Sequence, residues 1–554
     1  MVLKNVIPSQ YRFRQFYLFC SLISTKMNRK FEVWLPLLLA MVMIIGMYVG
    51  YRFATGQPNK KIFKKDQSTT LQEALDIIRT RYVDSVQIDT LEANAIREMM
   101  SDLDPHSVYI PGAELQLEND KLSGSFGGIG IEFNQIRDTV NITYVFSRGP
   151  SEKAGLLTGD QIIKADDQNL TGSNCTTPKI MNAIRGKKGA AVKLNILRRG
   201  KDTTLHVVRD NIPTPSISAV YMIDSITGFI RLDTFTSTTY REFMEAMEEL
   251  KKKGMTQLIF DLRSNGGGYM DQAIEIADEF LSGDKLIVYT EGVNNPKAEY
   301  RCKRPGIFET GKLTVLVDEL SASASEIVAG ALQDWDRATI IGRRTFGKGL
   351  VQEPFLLSDG SAMRLTIARY YTPIGRSIQK PYTGDKKVYM DEVWDRYATG
   401  QLYYADSNKV SNGKIFKTKG GRTVYGSGGI MPDVFVGLDT SNYSREINKI
   451  FLNGSFNDFV FHYYLDNKKI LDPYPDPQVY TREFDPSKEM WDRFTLWVKK
   501  DSVNLSGIPA FEKQRVEDRM EAQLARFKWR NSGFYQVMNT KDSVVITALK
   551  ELKK

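Results

Sequence analysis

Twice in this chain a strand-like run passes through a turn of very small residues and straight into a helix. No other feature constrains its fold as strongly. Gln257–Leu262 leads through Gly266-Gly267-Gly268 to a helical pattern at Asp271–Leu281. Leu313–Val317 leads through Ser321-Ala322-Ser323-Ala324-Ser325 to a helical pattern at Glu326–Gln333. Strand and helix patterns alternate through 213–385, as in a layered α/β core. At 554 residues the chain exceeds what one hydrophobic core organises, so three or more globular pieces are expected. A hydrophobic fraction of 42% beside 25% charged residues argues against extensive disorder.

The serine-rich turn sets a hydroxyl at a helix N-terminus, where free backbone N–H groups stabilise developing negative charge. Taken alone, the plainer reading is favoured: an N-cap with Glu326 in the first turn. Thr345-Phe346-Gly347-Lys348-Gly349-Leu350-Val351-Gln352 changes the balance. A lysine between two glycines sits where backbones approach closely. To act as a general base it must be neutral near pH 7, so its pKa must fall by about 3 units, roughly 4 kcal/mol, through burial among uncharged groups. Gln352 offers a neutral acceptor that orients the amine without restoring its charge. Serine with a desolvated lysine is a known nucleophile–base pair. The third segment, Phe260-Asp261-Leu262-Arg263-Ser264-Asn265-Gly266-Gly267-Gly268, ends a strand in residues without side chains. Backbone N–H groups there can point into a site, as an oxyanion hole requires, although a flexible turn is the alternative.

Together the three segments resemble the C-terminal processing, or tail-specific, peptidases of the S41 serine protease family, over about Leu71–Val436. The shared patterns are D-L-R-x-N-x-G-G, S-A-S-A-S-E-I and F-G-K-G-x-V-Q. The resemblance implies Ser323 as nucleophile, Lys348 as base and Gln352 as its positioner. It also implies oxyanion donors from Ala324 and one of the aligned glycines, Gly267 or Gly266. Ser321 and Ser325 are the adjacent alternatives to Ser323. The implied fold is an α+β or α/β multidomain chain with a crotonase/ClpP-like ββα protease core and an inserted PDZ domain. No cofactor and no metal are implied.

The segment Ser123–Arg209 resembles that PDZ domain. Gly127-Gly128-Ile129-Gly130-Ile131 matches the carboxylate-binding loop that captures a peptide C-terminus while the peptide adds as a strand. Gly149–Leu156 followed by Gly159–Ile163 is the second landmark, and Met181–Ile184 falls in the helix lining the groove. The expected partners are protein substrates with accessible C-terminal tails. The strand around Met363–Tyr371 is a candidate to align an extended substrate by backbone pairing.

Rival chemistries fit less well. The only histidines, His106, His206 and His462, lie outside the glycine-rich loops near a nucleophile candidate, which disfavours a Ser-His-Asp triad. Gly342-x-x-x-x-Gly347-Lys348 nearly spells a phosphate-binding loop, but Gly349 and a strand-like run follow instead of Ser/Thr and a helix. Ser282-Gly283-Asp284-Lys285 fits S-x-x-K without its companion motifs, and G-x-S-x-G is missing. A catalytically silent PDZ scaffold would be expected to lack part of Ser323, Lys348 and Gln352, yet all are present. Cys20, Cys175 and Cys302 show no metal or disulfide spacing.

The net charge of +9 is local: residues 1–65 hold eleven Lys and Arg against Glu32, or +10, leaving about −1 for the rest. That favours a membrane flank over nucleic acid. Val33–Val49 carries no charge, which predicts a membrane-spanning, uncleaved signal anchor at 33–51. The expected placement is single-pass in the cell inner membrane, with the catalytic part on the periplasmic side. The expected order is a cytoplasmic segment 1–32 (1–26 an upstream extension if the chain starts at Met27), the anchor 33–51 and a linker 52–68. A helical region 69–115, the PDZ domain 116–210, the protease core 211–440 and a helical extension 441–554 follow. The extension is either a homo-oligomer or adaptor docking module or a stabilising appendage.

Overall fold

The computed structural model describes residues 29–55, 69–136, 138–404, 414–439, 443–485 and 488–554. The expectations for residues 1–28, for Cys20 and for the linker at 56–68 lie outside the described residues. The chain divides into two units, 1–91 and 92–554.

In the first unit, Arg29–Thr55 and Thr70–Arg81 are helices, the second capped by Thr69. The expected spanning segment falls on the first helix. Its described side chains, Trp34 and residues 36–49, are exposed, yet no helix among the described residues is long and apolar enough to cross a membrane.

The second unit is built around a six-stranded sheet. Its order is Ile217–Met222, Thr227–Leu232, Gln257–Asp261, Lys312–Val317, Thr339–Gly342 and Val434–Phe435. The first pair is antiparallel and all others are parallel. Thr227–Leu232 and Gln257–Asp261 are buried along their whole length, as expected for strands covered on both faces. One face packs the helices Thr239–Lys252, Met270–Asp278 and Ala324–Asp334 around Phe243, Phe260 and Phe280. The other face packs Phe229, Ile259, Leu316 and Ile341 against Val544, Val545, Ala548 and Leu552 of the last helix, Ser543–Lys553. Each larger apolar side chain so buried contributes about 1.5–3 kcal/mol.

A second, five-stranded sheet is centred on Ala362–Tyr371. Leu350–Leu356 covers one edge of that strand, and Val108–Ile110 with Leu286–Glu291 covers the other. Ser107 Oγ accepts from Thr366 N between them. The expectation that 363–371 pairs with substrate is corrected here: both edges are taken by the chain itself. Leu350–Leu356 keeps its outer edge unpaired among the described residues and carries Pro354, which suits an edge.

Residues 131–208 form a separate sheet whose edge strand is Ile131–Ile136, with the helix Thr177–Ile184 beside a core of its own. Described residues beyond 443 are helical, with their own aromatic core around Phe456, Phe459 and Phe494. Cys175 and Cys302 are buried and unpaired.

Candidate active site

Ser323 closes the turn between strand Lys312–Val317 and helix Ala324–Asp334, with φ 57° and ψ −114°. A non-glycine residue held there costs on the order of 1–3 kcal/mol, a strain that recurs at functional positions. Its neighbours differ. Ser321 and Ser325 are fully buried and donate their hydroxyls to the carbonyls of Leu262 (2.8 Å) and Asn265 (2.9 Å). Ser323 alone of the three is partly open to solvent.

Lys348 is mostly buried, and its Nζ donates to Gln352 Oε1 at 2.8 Å. Burial, followed by the nearby Arg364 charge, pushes the amine down to about 8. Gln352 is fixed by donating its amide to the His106 carbonyl. No hydrogen bond joins Ser323 Oγ to Lys348 Nζ, but shared groups tie the two residues together. Glu326 Oε2 accepts from the backbone N–H of Ser323 (2.9 Å) and of Lys348 (2.9 Å). Its Oε1 accepts from Thr345 Oγ1 (2.6 Å) and Gly347 N (2.8 Å). Burial pushes this carboxyl up to about 7 against those four donors. Tyr370 OH reaches the Ser323 carbonyl (3.0 Å) and the Lys348 carbonyl (2.5 Å).

The glycine turn lies against this pair. A Cβ on Gly267 would fall 2.7 Å from Ser323 Cβ and 3.0 Å from Ala324 N, so only glycine fits. The Gly267 N–H, one of the two expected oxyanion donors, is committed to Asn265 Oδ1 at 2.9 Å. The N–H groups of Ala324 and Gly266 have no partner among the described residues.

Sequence reasoning set all three histidines aside. Here His106 borders Lys348: its carbonyl holds Gln352 and its Nε2 lies 2.9 Å from Tyr389 OH. Burial and then the Lys348 charge push its ring down to about 4, so it is neutral at physiological pH. Nothing local signals this, since Asp104-Pro105-His106 reads only as a turn. Tyr370 and Glu326 were equally silent as bridges. Lys285 Nζ does meet Ser282 Oγ (2.8 Å), but it also binds the Ser282 carbonyl (3.0 Å) in an ordinary turn. Among the described residues no cluster of His, Cys, Asp and Glu is placed to hold a metal.

In the segment expected to bind peptide, Gly127 and Gly128 pair with Asn211 and Asp210. The Ile129 and Gly130 carbonyls accept from Ser151 N and Phe146 N, and their own N–H groups have no partner among the described residues. Ile131 starts the open edge strand.

Residues 226–388 match peptidase family S41, and residues 127–208 match the PDZ domain. A carboxy-terminal-processing protease of Bartonella bacilliformis is 37% identical over 308 residues, 54% of this chain and 70% of that protein. The chain belongs to peptidase family S41. It is a serine-type hydrolase with a mixed α/β S41 peptidase fold and an inserted PDZ domain. The carboxy-terminal processing protease CtpA of Bacillus subtilis is 33% identical to this S41 peptidase, covering 69% of it and 81% of the relative. Among solved structures, the photosystem II D1 C-terminal processing protease shares 29% identity over 55% of this chain and 83% of its own, with a TM-score of 0.32.

Proposed function

We propose that this peptidase is a membrane-anchored endopeptidase that processes or degrades proteins through their C-terminal tails, using a Ser323/Lys348 dyad and an acyl-enzyme. One observation carries the dyad: a buried amine bonded to a neutral amide and stapled, through Glu326 and Tyr370, to a strained serine. Ser323 Oγ attacks the scissile carbonyl while Lys348 accepts the hydroxyl proton. The carbonyl oxygen becomes an oxyanion facing the N–H groups of Ala324 and Gly266. Collapse breaks the C–N bond, and Lys348 returns the proton to the leaving amine. Water then repeats the sequence on the ester and frees Ser323. The missing Ser–Lys hydrogen bond suits a state without substrate, since catalytic hydrogen bonds often tighten only in the complex.

The tail would be held at Ile129, Gly130 and Ile131 and added beside Ile131–Ile136. The free edge of Leu350–Leu356, the strand that carries Gln352, supports an extended substrate lying there. Anchoring is supported by the exposed apolar side chains of 36–49 and the basic flanks, with the catalytic part on the periplasmic side. Most apolar side chains of the extension pack within the chain, with Leu452, Leu496 and Phe511 exposed, which favours an intramolecular role over oligomer or adaptor docking.

The test is turnover of an unfolded reporter ending in apolar residues, by wild type and Ser323→Ala. Loss of cleavage in Ser323→Ala with retained binding supports the proposal, and equal turnover sinks it. Release of the full chain from membranes by alkaline carbonate would remove the anchor from the reading.

A further inference from the structure

The C-terminal extension reaches the active site through one carboxylate. Asp542 precedes the last helix, and its two oxygens have different partners. Oδ1 accepts from Val544 N (2.8 Å) and Val545 N (3.3 Å), capping the helix. Oδ2 accepts from Arg263 Nη1 at 2.7 Å. The other arms of that guanidinium bind Asp261, Nε at 2.9 Å and Nη2 at 2.8 Å. Arg263 therefore lies between the carboxylate that ends the preceding strand and one far along the chain.

Three carboxylates face two guanidiniums here. Asp261 is fully buried and serves two cations, Arg263 and Arg231. Arg231 has a second counter-ion in Asp233 (3.1 Å), and Arg263 has its second in Asp542. The Arg263–Asp542 pair is shielded, at 14% and 23% side-chain exposure, so it outweighs a surface pair.

Arg263 opens the turn that carries Gly266 and Gly267. Its carbonyl accepts from Arg231 Nη2 (3.0 Å), Ser264 N donates to Asp318 Oδ1 (2.8 Å), and Asn265 Nδ2 donates to the Leu232 carbonyl (2.9 Å). The Asn265 carbonyl then accepts from Ala322 N (3.0 Å) and Ser325 Oγ (2.9 Å), the residues flanking Ser323-Ala324. Ser264 is held at φ 61°, so the turn does not rest in a relaxed conformation. Displacement of Arg263 therefore passes to both sides of the nucleophile.

We propose that Asp542 is a positioning residue for peptide hydrolysis: it holds Arg263, and through it the Gly266–Gly267 turn, in the geometry that receives the oxyanion. This rests on the oxyanion reading given above. The last helix has separate anchors, namely its packing on Phe229, Ile259, Leu316 and Ile341 and a bond from Lys312 Nζ to the Leu552 carbonyl (2.8 Å). Loss of the Asp542 charge is therefore a local change.

The experiment uses full-length Asp542→Asn and Asp542→Ser, both of which keep a capping oxygen, with Leu552→Ala as a control that weakens helix docking. On a reporter peptide, well below every unfolding midpoint, kcat should fall about tenfold in both Asp542 variants with KM within about twofold. Leu552→Ala should lower the midpoint and leave kcat unchanged. Wild-type kcat in the Asp542 variants overturns the inference. So does an equal kcat loss in Leu552→Ala, which would make the extension a general brace. Ser323→Ala, assayed in parallel, separates the failures. Activity retained there defeats the site reading, whereas a dead Ser323→Ala beside a fully active Asp542→Asn defeats this inference alone.

Discussion

Two fully buried carboxylates stand behind the site, and they are held in opposite ways. Asp261, under the glycine turn, meets two guanidiniums; although burial pushes its carboxyl up, Arg263 and then Arg231 hold it below its ordinary range. Glu326, under the base loop, meets only N–H and O–H groups, and burial pushes it up to about 7. The difference follows what each loop must do. The glycine turn needs rigidity, and ion pairs provide it. On the proposed dyad the amine beside Glu326 must be neutral, and burial together with the Arg364 charge lowers its pKa against the opposing Glu326 carboxylate. Glu326 hides its charge behind four hydrogen bonds and still raises the Lys348 pKa less than burial lowers it.

The largest expected effect breaks the base side. Lys348→Arg places a permanent cation in a site that requires a neutral amine. Peptide turnover should fall at least about a thousandfold, the scale seen when a nucleophile's base is lost. Tail-peptide binding to the PDZ domain, measured by fluorescence anisotropy, should stay at the wild-type value. Turnover within about tenfold of wild type in that variant would falsify the dyad.

Next comes the turn side. Asp261→Asn removes the fully buried carboxylate that Arg231 and Arg263 share and leaves each with one partly exposed counter-ion, Asp233 or Asp542, which should cost about 3 kcal/mol of stability. Urea unfolding of the two proteins checks this. A loss below 1 kcal/mol (roughly the surface-pair value) would mean that Asp233 and Asp542 suffice and that the contrast is overstated.

How much of this was legible in the sequence divides along the same line. The serine and glycine turns are visible because close backbone approach demands small residues and those cluster locally, whereas the choice of Ser323 over Ser321 and Ser325 comes from the family resemblance. The supporting residues are not visible. Glu326 reads as an ordinary N-terminal helix acid, yet its oxygens reach Thr345 and Lys348. His106, Tyr370 and Asp542 arrive from elsewhere in the chain, and no period or spacing encodes a contact set by tertiary folding. The Gly266–Gly267 pair was visible as a turn. Which amide stays free was not, because the Asn265 side chain decides it. Ala362–Tyr371 was readable as a strand, whereas the occupancy of its edges depends on the partners Val108–Ile110 and Leu286–Glu291.

A smaller effect concerns pH. The Lys348 pKa is lowered from 10.5 to about 8, chiefly by burial. The base works when neutral, so kcat/KM should rise with pH and level off above about 8. In stability the sign is also fixed. Between about 8 and 10.5 the unfolded chain binds the proton and the folded chain does not, so stability rises with pH across that window. Below it the desolvation cost is fully present. Lys348→Met should therefore be more stable than wild type at pH 7, by at most about 3 kcal/mol, and this gain should vanish by pH 10.5. A gain that is flat with pH would place its origin in packing instead.

The smallest effect tests the neutral staple. Tyr370 is 1% exposed, and its hydroxyl is the donor that the Ser323 and Lys348 carbonyls share. The Ser323 carbonyl also accepts from Glu326 N (2.8 Å) and Ile327 N (3.0 Å), so losing the tyrosine leaves it satisfied. The Lys348 carbonyl has no other donor among the described residues. Tyr370→Phe keeps the ring and leaves one buried carbonyl bare, which should cost about 1–2 kcal/mol in urea unfolding. Because the lost contact positions the base, kcat should fall by several fold while KM holds. If stability drops and kcat does not, Glu326 alone sets the spacing of nucleophile and base, and the neutral hydrogen bonds of the base loop are unequal in the work they do.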